Sequence, residues 1–222
     1  MVVALIPVKE FALAKARLAP ALDADERRSL ALALFRDVLD AALSCGALEA
    51  VAVVSRDDDA LALAFEAGAL PMPEPGGLNA SLTSAAASLA QRRVDRLVVL
   101  AADLPLVEGG AIASVAETDA QVAVVPSQDG GTNALALSPG AITFRYGPDS
   151  ARLHLASAEE AGLRSARLSL AALSFDVDTP DDLTRLQKLV EAAPGLAGVN
   201  VGARTAELIR SVYTLARSVE NE

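Results

Sequence analysis

The sequence predicts an α/β fold: an open, mostly parallel sheet flanked by helices. Three observations point there. Apolar runs of strand length at residues 2–8, 49–55 and 96–102 alternate with helical periodicity at 23–43, 57–68 and 79–93, the order of parallel strands joined by helical crossovers. Hydrophobic residues make up 52% of the chain and aromatics only 3%, so the core is built from Ala, Leu and Val, which suits a sheet between Ala-rich helices. Carboxylates and small-residue turns also gather where the strands end, the edge at which open α/β sheets bind ligands. A chain of 222 residues is long enough for one such core and short for two. One domain over residues 1–194 is expected, followed by a linker and a helical extension over 195–222.

The elements follow in order. Residues 2–8 form a continuous apolar strand, and a loop carrying Lys9, Lys15 and Arg17 leads to the helix at 23–43, with acidic residues in its first turn and Gly46 beyond its end. A second strand at 49–55, a helix at 57–68 stopped by Gly68, and a short strand at 69–73 continue the parallel pattern. The Pro73-Glu74-Pro75-Gly76-Gly77 break follows, with Asn79 or Ser81 as the expected cap of an Ala-rich helix running to Arg93. Residues 96–102 read as the central strand and 109–117 as a short helix. Two strands at 121–126 and 133–138 flank the Gly130-Gly131 turn, and a helix starts at Asp149 or Ser150. A strand-like segment at 173–178 feeds a helix opened by Thr179 as cap, Pro180 at the first position and Asp182 three residues after the cap. A last amphipathic helix spans 204–219, and its Ala- and Leu-rich surface with Tyr213 suggests a homodimer.

Charge narrows the function. A net charge of -10 argues against nonspecific binding to nucleic acid or to anionic membranes, both of which need excess Lys and Arg. The one cysteine, Cys45, has no internal partner and sits in an apolar helical pattern, as a buried inert thiol would. The first residues are a short apolar run without a basic lead, so they read as a strand rather than a signal peptide. No run approaches the roughly 20 apolar residues of a membrane helix. A cytoplasmic location is expected.

Asp103 leaves the central strand through Leu104-Pro105-Leu106, and Asp176 and Asp178 follow another apolar segment. Mg²⁺ takes hard oxygens, usually one or two carboxylates with phosphates and waters, so Asp103 with Asp176 or Asp178 is the expected metal site. Lys9, Lys15 and Arg17 follow the first strand, where doubly wound folds place their phosphate loop, yet neither a Walker motif nor G-x-G-x-x-G is present. Gly77, Leu78 and Asn79 stand at a loop-to-helix junction suited to a base or ribose. Gly130, Gly131 and Thr132 offer close backbone approach plus a hydroxyl, and Gly147 with Ser150 offers the same at a helix N-terminus, with Arg145 and Arg152 flanking it. His154, the only histidine, lies one turn into that helix and reads as structural or exposed rather than catalytic. With one His and one Cys, no Ser-His-Asp or Cys-His arrangement is available, which leaves chemistry in which the substrate brings the nucleophile.

These motifs also resemble a known family. Ile6-Pro7-Val8-Lys9, Lys15-Ala16-Arg17-Leu18, Gly77-Leu78-Asn79, Ala102-Asp103-Leu104-Pro105, Gly131-Thr132-Asn133-Ala134-Leu135, Gly147-Pro148-Asp149-Ser150 and Asp176-Val177-Asp178-Thr179-Pro180 resemble, in order over about residues 1–190, the guanylyltransferases of coenzyme F-420 biosynthesis. The resemblance implies a Rossmann-like nucleotidyltransferase fold that joins GTP to a phosphorylated three-carbon acid (phosphoenolpyruvate, 2-phospho-L-lactate or 3-phospho-D-glycerate) and releases pyrophosphate. By matching position, Lys9, Lys15 and Arg17 would face the triphosphate, Gly77, Leu78 and Asn79 the guanosine, and Asp103 with Asp176 or Asp178 the Mg²⁺. Thr132, Gly147 and Ser150 would hold the phospho-acid. One departure concerns the acceptor: Ser127-Gln128-Asp129 stands where a basic residue is expected before the glycine turn. Molybdenum-cofactor and sugar-phosphate nucleotidyltransferases are the alternative enzymes, and a noncatalytic GTP sensor is the alternative of another class.

Overall fold

In a computed structural model of the chain, which describes residues 1–192 and 200–219, seven strands form one sheet. They are β1 (Val2–Val8), β2 (Ala50–Ser55), β3 (Leu70–Pro73), β4 (Arg96–Leu100), β5 (Val122–Pro126), β6 (Thr132–Leu137) and β7 (Ser165–Arg167), in the spatial order β3-β2-β1-β4-β6-β5-β7. Every neighbouring pair is parallel except those of β6, which runs antiparallel to both β4 and β5. The reversal sets up the functional edge. Pairing of Leu100 with Ala134 lays the beginning of β6 against the carboxyl end of β4, and the Ala101 amide donates to the Asn133 carbonyl at 2.8 Å.

Alternation along the strands divides the core. Val3 and Leu5 face one side of the sheet with Leu97 and Val99, under α3 (Leu78–Gln91) and α5 (Ser150–Glu160). Ala4, Ile6, Val98 and Leu100 face the other, under α1 (Ala24–Leu43), α2 (Asp58–Glu66), α4 (Gly109–Ala116) and the four-residue α6 (Ala171–Ser174). Such two-sided burial explains why the parallel strands read as unbroken apolar runs. Thr179 caps α7 (Pro180–Glu191) in a full capping box with Asp182, as the sequence predicts, and Asp23 does the same with Glu26 for α1.

Two expectations are corrected, and one short strand is added. Residues 173–178 are not a strand: Leu173 belongs to α6, and Phe175, whose backbone is extended, buries itself with Val177 in a third apolar cluster with Leu34, Leu106 and Leu186. Their alternation mimics a strand while no sheet neighbour is there to pair with it. Strand β7 carries no apolar run, because it has three residues and lies at the sheet edge. The cap of α3 is Gly77; Asn79 and Ser81 lie inside the helix, with the Ser81 hydroxyl donating back to the Gly76 carbonyl at 3.1 Å.

The final helix, α8 (Ala203–Val219), joins the third cluster through Ala206 and Ile209. Its amino end is received by Asp37 of α1, which is 7% exposed and accepts the amides of Arg204 at 3.2 Å and Thr205 at 2.9 Å. Gly202 has to be glycine here, since a Cβ would stand 2.3 Å from an Asp37 carboxylate oxygen, and its amide donates to Pro105 O at 2.8 Å. The tail is thereby tied to the turn that carries Asp103. Of the segment expected to link the domain to this helix, residues 195–199 lie outside the described residues, as does the side chain of Tyr213. Replacing Asp37 with Ala removes a helix cap and leaves inward-facing amides unpaired; urea unfolding is expected to show a loss of about 2 kcal/mol, and an unchanged midpoint would show that the tail docks without this carboxylate.

Candidate active site

The carboxyl ends of β1 and β4, the start of β6 and the 175–178 segment converge on a cleft of about 800 Å³. Lys15 lies at its centre. Its backbone is in the left-handed region at φ 54°, between two 3₁₀ turns, and its side chain is 5% exposed. The ammonium bridges Asp103 Oδ2 at 2.5 Å and Asp178 Oδ1 at 3.0 Å. Burial alone works against this charge, but attraction to Asp103 and then Asp178 outweighs it and lifts the Lys15 pKa above the ordinary lysine value. Arg17 is exposed, with Nη1 3.9 Å from Asp178 Oδ2, and Lys9 is an exposed cation on the cleft wall.

Asp176 completes a set of three carboxylates. Its pKa is pushed up to about 6, first by burial and next by the charge of Asp103, with Asp178 adding to the effect. The Asn133 amide opposes this by donating to Asp176 Oδ1 at 3.2 Å. Among the described residues no three His, Cys, Asp or Glu side chains close into a metal cage, and the Lys15 ammonium occupies the space between Asp103 and Asp178. Two carboxylates remain enough for a cation that draws its other ligands from water and phosphate.

Gly77 and Leu78 line the same cleft, and Leu78 keeps 43% of its surface exposed at the rim, opposite in kind to the charged floor. Asn79 serves the scaffold: its side chain accepts the Tyr146 amide at 2.7 Å and donates to the Tyr146 carbonyl at 3.1 Å. This pair of hydrogen bonds to the backbone of one residue ties the α3 start to the loop before α5. On the opposite wall, Thr132 reaches the cleft, and its hydroxyl lies 2.9 Å from Ser150 Oγ and 3.1 Å from His154 Nδ1. All three side chains are buried, and His154 is held neutral as burial, with the Arg145 charge, pushes its pKa down to about 4. Gly147 is exposed with φ 140°, in the loop before Ser150.

The turn between β5 and β6 is shaped by Asp129, which accepts the Ser127 hydroxyl and the Gly131 amide. These bonds hold its carboxyl below the usual range, and Arg17 adds a smaller attraction across the cleft. A Cβ at Gly131 would stand 2.7 Å from Ser127 Oγ and would displace the Ser127 hydroxyl from Asp129, while Gly130 takes φ 88°. Arg152 is not part of this cleft; it lines a separate hollow of about 640 Å³ with Arg167 and Glu159. Three participants escaped the sequence reading. Asn133 was visible only as part of a glycine-turn motif, and Tyr146 contributes through its backbone and ring. Arg56, at the carboxyl end of β2, donates to Gly76 O at 2.7 Å and faces Glu74 at 3.4 Å; its position at the strand end was the available signal.

Asp176 and His154 oppose each other in acid. A carboxyl raised to about 6 contributes stability below about pH 4 that is lost as pH rises through 6, whereas a histidine lowered to about 4 costs stability as pH falls from about 6.5 towards 4. With metal removed by chelation, Asp176→Asn is expected to melt above the wild-type chain at pH 7, with the gap shrinking as pH falls to 4. A constant gap across that range would place the Asp176 titration elsewhere.

The chain is similar to known proteins over most of its length. Residues 2–189 match a protein-family model described as "Guanylyl transferase CofC like". A phosphoenolpyruvate guanylyltransferase of Sphaerobacter thermophilus is 38% identical over 195 residues, covering 83% of this chain and 91% of that protein. A 2-phospho-L-lactate guanylyltransferase of Methanothermobacter thermautotrophicus is 35% identical, covering 81% of each. Among solved structures, a candidate nucleotide-diphospho-sugar transferase from Desulfovibrio desulfuricans G20 superposes with a TM-score of 0.77 at 20% identity, covering 98% of this chain and 97% of that one. That last likeness is one of fold.

Proposed function

The chain belongs to the guanylyl transferase CofC-like family, and we propose that it transfers GMP from GTP to a phosphorylated three-carbon acid with release of pyrophosphate. The observation that carries the reading is the buried Lys15 ammonium between Asp103 and Asp178, at the carboxyl edge of the sheet, with further cations on the cleft wall. On this reading the product serves the assembly of coenzyme F-420.

An oxygen of the acceptor phosphate attacks the α-phosphorus of GTP; the new O–P bond forms as the bond to the β-phosphate oxygen breaks, and the electron pair leaves with pyrophosphate. The chain has no need of a base, because a phosphate monoester with a second pKa near ~6 is largely dianionic at neutral pH. Its own residues bind and orient. Lys15, Lys9 and Arg17 take the triphosphate, where fixed positive charge favours the departing pyrophosphate. Gly77 and Leu78 receive the nucleoside, and Asn79 holds their helix against the acceptor loop through Tyr146. Thr132, Gly147 and Ser150 form the acceptor side.

The donor set fits Mg²⁺: Asp103 with Asp178 or Asp176 offers hard oxygens beside a cleft open to phosphates and water. When bound, the ion supplies charge neutralisation on the phosphates. In the ligand-free chain Lys15 neutralises the same carboxylates, so the site stays assembled before substrate arrives.

The test is pyrophosphate release from GTP with phosphoenolpyruvate, 2-phospho-L-lactate or 3-phospho-D-glycerate, and without acceptor. Release that depends on one acid is expected; GTP binding with no acid-dependent release would move the assignment to sugar-phosphate or molybdopterin acceptors. Asp103→Asn is expected to lower turnover by about 10²-fold or more while leaving the melting temperature within a few degrees, since losing one charge from a preorganised site costs several kcal/mol of transition-state stabilisation. A variant turning over normally at saturating Mg²⁺ would sink the role given to Asp103.

A further inference from the structure

His154 is fully buried in α5, and neither the sequence motifs nor the reaction above gives it a task. Both ring nitrogens are engaged. The Arg145 amide donates to Nε2 at 2.9 Å, which requires Nε2 to be the unprotonated nitrogen of a neutral imidazole and leaves the ring proton on Nδ1. The Nδ1–H then donates to Thr132 Oγ1 at 3.1 Å, and Thr132 Oγ1 lies 2.9 Å from Ser150 Oγ.

Donor counting gives the consequence. The two hydroxyls carry two protons, and the bond between them uses one. With the imidazole donating, the second proton finds no acceptor inside the triad. With the opposite tautomer, Nδ1 would accept from Thr132 and both protons would be consumed. Of the two hydroxyl residues Thr132 lines the cleft, so the spare donor has its outlet there when the Ser150 hydroxyl donates to Thr132 Oγ1 and Thr132 keeps its own proton.

We infer that His154 is a positioning residue: through the tautomer that the Arg145 amide imposes, it keeps the Thr132 and Ser150 hydroxyl pair a net hydrogen-bond donor to the cleft. The pair thereby selects an acceptor oxygen that offers lone pairs only, from a phosphate or a carboxylate. The inference deepens the proposed function and rests on its assignment of Thr132 and Ser150 to the acceptor side.

Two measurements test it. Nitrogen NMR of the imidazole in the ligand-free chain at pH 7 is expected to show a protonated Nδ1 and a bare Nε2; the reverse overturns the inference whether or not the enzyme is active. In the pyrophosphate assay, His154→Leu is expected to raise KM for the phospho-acid about tenfold or more, the loss of one bond to a charged group, with KM for GTP within about twofold. His154→Asn, whose amide can donate from the Nδ1 position, is expected to recover most of that loss. Melting curves identify a variant that fails to fold, and Thr132→Val against Thr132→Ser then repeats the comparison without touching the ring. Competition by inorganic phosphate and by pyruvate separates the two oxygens: the inhibitor that weakens in His154→Leu names the group held. Equal changes in both KM values, or none, would overturn the inference. A wild-type chain that releases no pyrophosphate with any of the acids would instead overturn guanylyl transfer, with the tautomer still deciding the role of the ring.

Discussion

A single ammonium group holds the functional edge together. Lys15 stands between Asp103 and Asp178, with its side chain 5% exposed, and these two carboxylates come from segments far apart in sequence. Without it, two negative charges would face one another beside Asp176, which already protonates more readily than a free carboxyl because of burial and its neighbours. Removing one member of a fully buried ion pair costs ~3–5 kcal/mol. Here Asp103 and Asp178 are 28% and 42% exposed, so water relieves part of that cost and the cluster remains open to exchange partners. A cation clamp of this kind can assemble an anion-rich floor in the absence of ligand and still yield to a stronger competitor.

The rest of the fold delivers the members of that cluster. Strand β1 leads to the loop that buries Lys15, β4 ends just before Asp103, and Phe175 and Val177 anchor the segment of Asp176 and Asp178 in the third apolar cluster. Reversal of β6 adds what parallel strands would not, presenting the beginning of a strand at an edge otherwise made of strand ends. Asn133 thereby meets Asp176, and Thr132 meets Ser150 and His154. The tail closes the arrangement from below, through Gly202 and the Pro105 carbonyl.

Much of this was legible in the sequence, and physical reasons divide what was from what was not. Strands β1, β2 and β4 announced themselves because burial on both faces leaves only apolar residues. The helix starts at Asp23 and Thr179 were readable because capping is local chemistry. Asp103 and the Lys15 loop were readable as following strands because the apolar runs before them mark where β4 and β1 stop. The short glycine turn implies that β6 runs back against β5, but its insertion beside β4 was not legible, since hydrophobic period does not name a strand's neighbours, and β7 was lost because three edge residues bury too little to leave a pattern. Residues 175–178 had the period of a strand, yet whether an extended segment finds a neighbour is decided by tertiary packing. The two bonds from Asn79 to Tyr146 and the triad around His154 join residues that only the folded chain brings together.

The reversed strand has an evolutionary corollary. The charged floor is gathered from three separate segments, after β1, after β4 and after α6, whereas Thr132, Ser150 and His154 all come from one contiguous stretch, a hairpin and the helix after it. Natural variation within that stretch can reshape one wall of the cleft while the cation clamp keeps its own residues and supports. A lineage could therefore exchange one small anionic partner for another by drift in about two dozen neighbouring positions, or acquire the change in a single recombination event, with the phosphate-handling machinery inherited intact.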